Sequence, residues 1–177
     1  AVSLCGAMSA VSGRILLAGV GNPWLGDLDF GPQFLRRYLD AGWPEELTIV
    51  DASMAAHRVL HEIQEADPDR VIFITAYPRD EEPGTVRRYA LDLSEPLPDE
   101  EEIADRLGEA AGGVIDFDHT LVVTRYYDVL PTDTVVVEVE AVDDVFGTTF
   151  SPSVEASFER VLEMVREEVA RPWSQQP

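Results

Sequence analysis

Lysine is absent from this chain of 177 residues, so all 13 basic residues are arginines, set against 34 acidic residues. The formal net charge is therefore −21 at pH 7. A surface with this excess of carboxylates repels the phosphate backbone of nucleic acids, so we expect no nucleic-acid partner. The charge leaves two explanations open: a well-solvated acidic surface, or attraction to a cationic ligand or a basic patch of a partner protein.

Cysteines and long apolar segments are also scarce. Cys5 is the only cysteine, which excludes an intramolecular disulfide and a metal site built from several thiolates. No segment approaches the roughly 20 apolar residues that a membrane-spanning helix needs. Residues 1–13 lack the basic segment and the long apolar segment of a secretory signal. We therefore predict a cytoplasmic protein with no membrane insertion.

The length and the apolar content predict one domain. A chain of 177 residues with 45% hydrophobic residues can build one full core, whereas two domains would be crowded. No repeat or linker divides the sequence. We assign residues 1–13 to an N-terminal tail that we expect to be flexible, residues 14–172 to a single domain, and residues 173–177 to a C-terminal tail.

Apolar runs of strand length alternate along the chain with amphipathic segments of helical period. Strands are predicted near residues 14–18, 47–50, 71–74, 85–91 and 132–142, and helices near residues 30–39, 59–63, 99–107 and 152–169. Asp29 and Ser151 stand where they can cap the first and the last of these helices. The alternation predicts an α/β fold with three layers: a mostly parallel, twisted sheet of about five strands, with helices on both faces.

The segment from Gly19 to Gly31, directly after the first predicted strand, is the most informative part of the sequence. Its glycines allow a sharp turn and a close backbone approach, and ligands bind at the carboxyl ends of strands in such sheets. Asn22, Asp27 and Asp29 supply its polar side chains. A dinucleotide-binding loop is the competing interpretation, but the spacing after the second glycine is wrong for that motif and a proline occupies the turn.

Three segments together resemble a known family. Residues 19–31 read Gly-x-Gly-Asn, then a Gly-Asp pair and a later Gly; residues 49–51 are a strand ending on an acidic residue; residues 150–156 open the closing helix. These segments are similar to the hydrogenase maturation proteases, endopeptidases that trim the C-terminus of the large subunit of nickel-iron hydrogenases. With the order of elements, the similarity spans about residues 14–170.

The resemblance implies an activity and a set of residues. The partner would be the hydrogenase large-subunit precursor, and the metal would be nickel carried by that substrate, with no cofactor permanently bound. The implied catalytic residues are Asp27, Asp29 and His119, of which Asp29 and His119 would contact the metal. The implied substrate-binding residues are Gly21, Asn22, Thr75 and Asp51.

Two positions depart from the family pattern. Where the family places acidic metal ligands, this chain has Leu28, which has no lone pair, and Thr75, whose neutral hydroxyl is a poor substitute for a carboxylate. Asp29 lies one residue beyond the expected ligand, and Asp27 has a simpler role open to it, hydrogen bonding to loop amides. The alternative function is therefore a catalytically inactive relative that binds a hydrogenase subunit or assembly factor without cleaving it.

The three histidines suggest one further function. His57 and His61 lie four residues apart on a predicted helix, a spacing that zinc enzymes use, although exposed histidine pairs are usually just solvated. A standalone metal-dependent hydrolase using this pair is a third hypothesis. His119 itself has two open roles, a metal ligand or a buried structural histidine. No Gly-x-Ser-x-Gly motif is present to suggest a serine nucleophile.

Overall fold

A five-stranded sheet forms the centre of the computed structural model, which describes residues 13–53, 56–112 and 116–173. Cys5 and most of both predicted tails lie outside these residues. The strand order is β2-β1-β3-β5-β4, with β4 antiparallel to β5 and the other pairs parallel. The strands are β1 (Ile15–Gly19), β2 (Leu47–Asp51), β3 (Arg70–Tyr77), β4 (Val86–Ala90) and β5 (Asp133–Glu140).

Helices cover both faces of this sheet. One face packs against α1 and α6 and the other against α2 and α4, which confirms the predicted three-layer α/β fold. Within the described residues, no helix combines the length and the apolar character that crossing a bilayer requires. The helices are α1 (Phe30–Arg37), α2 (Ala56–Ala66), α3 (Glu100–Ala111), α4 (Phe117–Tyr126), α5 (Pro152–Glu155) and α6 (Phe158–Ala170), with a short 3-10 helix at Gly26–Asp29.

The two central strands, β3 and β5, contribute to the two larger hydrophobic clusters of the described residues, one on each face of the sheet. Ile72 and Ile74 of β3 face α1 and α6, whereas Phe73 faces α2 and α4, because successive side chains of a strand point to opposite faces. All three are fully buried, and burial of each such side chain is worth about 1.5–3 kcal/mol. The continuous apolar run at residues 71–74 is thus a strand covered on both faces, as predicted.

Two predicted helix caps are wrong in detail. Asp29 precedes α1, but its side chain makes no cap hydrogen bond, and neither does that of Ser151 before α5. Both side chains have other partners, described below. The closing helix, predicted as one element, is interrupted between α5 and α6, where the hydroxyl of Ser157 donates to the carbonyl of Val154 at 2.7 Å.

The amino edge of the sheet is closed by a buried arginine. Arg70 is fully buried; its Nε donates to Asp133 at 2.8 Å and its Nη1 to the carbonyl of Glu168 at 2.8 Å. The ring of Trp173, the first residue of the predicted C-terminal tail, lies 4.3 Å from the Arg70 guanidinium. This edge is therefore occupied by structural contacts, which leaves the carboxyl edge of the sheet as the place for a functional site.

Candidate functional site

Gly21 in the loop after β1 and Gly31 in α1 lie so close to neighbouring backbone that no larger residue would fit. A Cβ at Gly31 would lie 2.4 Å from the carbonyl oxygen of Val20 and 2.5 Å from that of Ile74. A Cβ at Gly21 would lie 2.3 Å from the carbonyl oxygen of Leu28. Backbone contacts between α1, β1 and β3 thus explain the glycine spacing. The structure shows a packing role for Gly21, and its part in substrate binding stays a prediction.

Two other predicted substrate-binding residues, Asn22 and Asp51, hold turns. The backbone amide of Asn22 donates to the carbonyl of Leu28 at 2.8 Å and closes the loop after β1. Asp51, at the end of β2, accepts from the amide of Ser53 and from Nη2 of Arg36, both at 3.0 Å. Both residues lie at the carboxyl edge as predicted, and their contact with a substrate stays a prediction.

Asp27 fastens the loop after β1 to the loop after β5. Its carboxylate is fully buried and accepts four hydrogen bonds. Oδ2 accepts from the amides of Val142 and Asp143, each at 3.0 Å, and from the hydroxyl of Ser151 at 2.8 Å. Oδ1 accepts from the amide of Ser151 at 2.8 Å. The observed role is structural, and the predicted catalytic role receives no support from these contacts.

Asp29 differs from Asp27 in that one of its carboxylate oxygens has no partner among the described residues. Its Oδ2 accepts from Nε2 of Gln33 at 2.8 Å and lies 3.4 Å from the amide of Trp24. Its Oδ1 is buried and has no hydrogen-bond partner in the described part of the chain. A buried carboxylate oxygen is costly unless a proton, a water or a cation meets it. The predicted metal contact therefore fits this atom.

Leu28 and Thr75 occupy the positions where the family resemblance expects carboxylates. Leu28 is half-buried and packs against the core on the α1 side. Thr75 is 1% exposed in β3 and stands in register with Glu138 of the neighbouring strand β5. Neither side chain carries a negative charge, so the family's full set of acidic ligands is not present at these positions.

His119 lies in the first turn of α4 between two carboxylates. Its Nε2 is 2.6 Å from Oε2 of Glu109, and its Nδ1 is 2.9 Å from Oδ1 of Asp116. Burial disfavours the charged ring, but the interactions with Glu109 and Asp116 outweigh it and raise the pKa of His119. A protonated imidazole has no lone pair, so metal binding here requires loss of a proton.

Asp29 and His119 both lie at the carboxyl edge, but α1 and α4 cover opposite faces of the sheet. The Asp29 carboxylate accepts from Gln33, whereas the His119 ring pairs with Glu109 and lies close to Asp116. Across residues 13–53, 56–112 and 116–173, no group of three or more His, Cys, Asp or Glu could hold a metal ion. The exposed pair His57 and His61 on α2 therefore lacks a third ligand there. A shared contact of Asp29 and His119 with a metal stays a prediction.

An ionic cluster around the buried Glu138, between β3, β4 and β5, was missed by the sequence analysis. Glu138, only 1% exposed, accepts from Nη2 of Arg87 at 2.7 Å and Nη2 of Arg79 at 3.2 Å, and lies 3.3 Å from the hydroxyl of Tyr89. Arg79 also pairs with Asp118, beside His119, at 2.9 Å. Burial, and then the charge of Glu138, raise the pKa of Tyr89. We call Glu138, Arg79, Arg87, Tyr89 and Asp118 the Glu138 cluster.

An open pocket of about 500 Å³ lies over the Glu138 cluster. The guanidinium groups on its wall already pair with carboxylates of the chain, among them the Arg87–Glu81 pair at 2.6 Å. A glutamate inside a run of buried valines in β5, together with two arginines in the predicted strand beside it, was the signal in the sequence. A buried carboxylate needs such partners.

Comparisons of sequence point to one group of proteins. No model of a known protein family matches the chain. A curated relative from Methanocaldococcus jannaschii, whose name assigns it provisionally to the hydrogenase maturation proteases, is 28% identical over 78 residues. The match covers 44% of this chain and 51% of the relative, so the chain spans about half the length of that relative.

Solved structures extend the similarity to most of the chain. The hydrogenase maturating endopeptidase HybD from E. coli is 26% identical, with 86% of this chain and 89% of that chain covered and a TM-score of 0.61. A hydrogenase 2 maturation peptidase from a Thaumarchaeota archaeon has the same TM-score at 20% identity, with 89% and 98% covered. The chain therefore has the fold of the hydrogenase maturation proteases, which confirms the resemblance seen in the sequence.

Proposed function

We propose, from the chain's similarity to the hydrogenase maturation proteases, that it is an endopeptidase acting near the C-terminus of a nickel-iron hydrogenase large-subunit precursor. One observation carries this proposal. The loop with the family's glycine spacing lies at the carboxyl edge of the same fold, and it ends on Asp29, a buried carboxylate with one unpartnered oxygen. We also propose a cytoplasmic location, with which the single cysteine of the sequence is compatible.

The metal in this proposal arrives with the substrate. Nickel already held by the precursor would be recognised at the carboxyl edge, and it would polarise a water or the scissile carbonyl for hydrolysis. Asp29 offers Oδ1 to that ion, and His119 offers a ring nitrogen once it has lost its proton. Asp27 holds the loop that presents Asp29, through its bonds to the loop after β5.

Mass spectrometry of a nickel-loaded precursor tests the proposal. Incubation with this protein should release a C-terminal segment from the precursor. The mass of the precursor should then fall by the mass of that segment. Asp29→Asn and His119→Gln should abolish the mass change, whereas His61→Gln, which alters an exposed histidine on α2, should not. Cleavage at an undiminished rate by both site variants would refute the assignment of these residues.

A docking role without cleavage is the second candidate, favoured by Leu28 and Thr75. An unchanged precursor mass together with intact binding would establish it. Leu28→Asp combined with Thr75→Asp should then create activity if those two positions alone prevent cleavage. Thr75 is fully buried in register with Glu138, so the new carboxylate needs the substrate's metal to offset repulsion from its neighbour.

A further inference from the structure

Four large apolar side chains stand out into solvent at the carboxyl edge. Their exposed fractions are 59% for Trp24, 58% for Val142, 68% for Val145 and 80% for Phe146. They lie on two loops, the one after β1 and the one after β5. Single exposed apolar residues are ordinary, but four of them on two adjoining loops indicate an interaction surface. We call these four residues the apolar rim.

Hydrogen bonds join the two loops of the apolar rim into one unit. The amide of Gly147 donates to the carbonyl of Trp24 at 2.7 Å, and the amide of Gly26 donates to the carbonyl of Gly147 at 3.2 Å. Asp27 binds the amides of Val142 and Asp143 beneath them. The rim is therefore presented by a pre-organised backbone, which lowers the entropy cost of binding a partner.

Trp24 has a strained backbone conformation and a solvent-exposed side chain. Its φ is 62°, in the left-handed region that a bulky side chain rarely adopts. The indole gains little burial in return, since 59% of the residue is exposed. A strained backbone that places a large apolar side chain in solvent is typical of a functional position.

We propose that the apolar rim is the surface on which the hydrogenase large-subunit precursor docks, through an apolar depression flanked by lysines or arginines. The inference rests on the proposed function and adds the location and chemistry of the contact. Asp143 and Asp144 lie within the rim segment, on a chain of net charge −21, so a basic partner surface is complementary. A second copy of this chain would bring like charges together.

The position of the rim agrees with this role. The amide of Trp24 lies 3.4 Å from Oδ2 of Asp29, the carboxylate whose other oxygen is unpartnered. A precursor seated on Trp24 would therefore lie directly beside the atom that we propose for metal recognition. Docking and recognition then use one continuous surface at the carboxyl edge.

Binding of the nickel-loaded precursor to rim variants tests the inference. Trp24→Asn removes the indole and keeps a residue that tolerates a positive φ, and Phe146→Ser removes the most exposed ring. Each variant should raise the Kd about tenfold or more, as loss of an aromatic anchor does. Leu39→Ser is the matched control, because Leu39 is also 59% exposed but follows the far end of α1. Affinity of the unaltered protein should fall as salt is raised.

Each other outcome is informative. Cleavage by the unaltered protein with undiminished affinity in both rim variants would overturn the docking surface and leave the proposed function standing. An unaltered protein that neither binds nor cleaves the precursor would overturn both. Sedimentation that shows a dimer, converted to monomer by Phe146→Ser, would assign the rim to self-association and overturn the inference. Unchanged circular dichroism and melting of the variants would exclude unfolding as the cause of lost affinity.

Discussion

Replacement of Asp27 by asparagine distinguishes the structural role of this residue from the catalytic role that the family resemblance assigns to it. The side chain keeps its shape but loses its charge, and one of its two acceptor oxygens becomes a donor. In the better orientation the amide oxygen still accepts from Val142, Asp143 and the Ser151 hydroxyl. The amide of Ser151 then faces an NH2 group instead of Oδ1.

The cost follows from these four hydrogen bonds. One buried amide without an acceptor costs about 2 kcal/mol, and three bonds that lose their charge assistance cost about 2 kcal/mol more in total. The free energy of unfolding should fall by about 4 kcal/mol, a large share of the roughly 5–15 kcal/mol that holds an ordinary domain together. For a chain of this size the melting temperature should fall by roughly 12 °C.

Urea unfolding followed by circular dichroism measures this change, with Asp92→Asn as the control. Asp92 also accepts a backbone amide in a turn, that of Ser94 at 2.9 Å, but it is exposed, so Asp92→Asn should lose far less unfolding free energy than Asp27→Asn. The reasoning is refuted if Asp27→Asn keeps its full unfolding free energy and yet abolishes precursor cleavage. Asp27 would then be a catalytic residue whose bonds to the loop after β5 contribute little.

Three further perturbations test other parts of the structure. Gly31→Ala places a Cβ within 2.5 Å of two backbone carbonyls and should cost about 3 kcal/mol in urea unfolding, whereas Gly108→Ala, with open space around it, should be neutral or stabilising. The pKa of His119 is raised on folding, so its stabilising contribution is present below its unfolded pKa of about 6.5 and is lost as pH rises through the folded value. His119→Gln should therefore lose more unfolding free energy at about pH 5.5 than at about pH 9, and an equal loss at both would contradict the assigned shift. Glu138→Gln removes the buried carboxylate that pairs with two guanidinium groups, so the free energy of unfolding should fall by about 3 kcal/mol. Glu81→Gln, at a more exposed position, should lower it by less than about 1 kcal/mol.

The parallel architecture was predictable because its signal is local. Runs such as residues 71–74 and 135–139 contain enough β-branched and apolar residues to identify strands buried on both faces. The segment after His119 was harder, since its threonines and valines disfavour helix in isolation. In α4 the hydroxyls of Thr120 and Thr124 donate to carbonyls one turn back, at 2.9 and 2.7 Å, and both valines are buried, with Val123 packed against α2 and α3.

The candidate site was predictable only in outline. The glycine spacing and the end of β1 located the loop, since the carboxyl ends of parallel strands meet at one edge of a sheet. Which carboxylate is free could not be read from the sequence, because Asp27 and Asp29 are two residues apart and have similar neighbours. The structure gives Asp27 four donors from segments more than 100 residues away and leaves one oxygen of Asp29 without any.

The order of residues by itself determined the layers of this protein, the position of its glycine-rich loop and its likeness to the hydrogenase maturation proteases, because each depends on neighbours a few positions apart. Only the tertiary structure decided that Asp27 joins two loops through hydrogen bonds, that Glu138 pairs with two arginines, and that Trp24 is exposed beside Asp29. These features depend on hydrogen bonds and charges between distant segments, and a bond that reaches over about 3 Å forms only once the whole chain has packed.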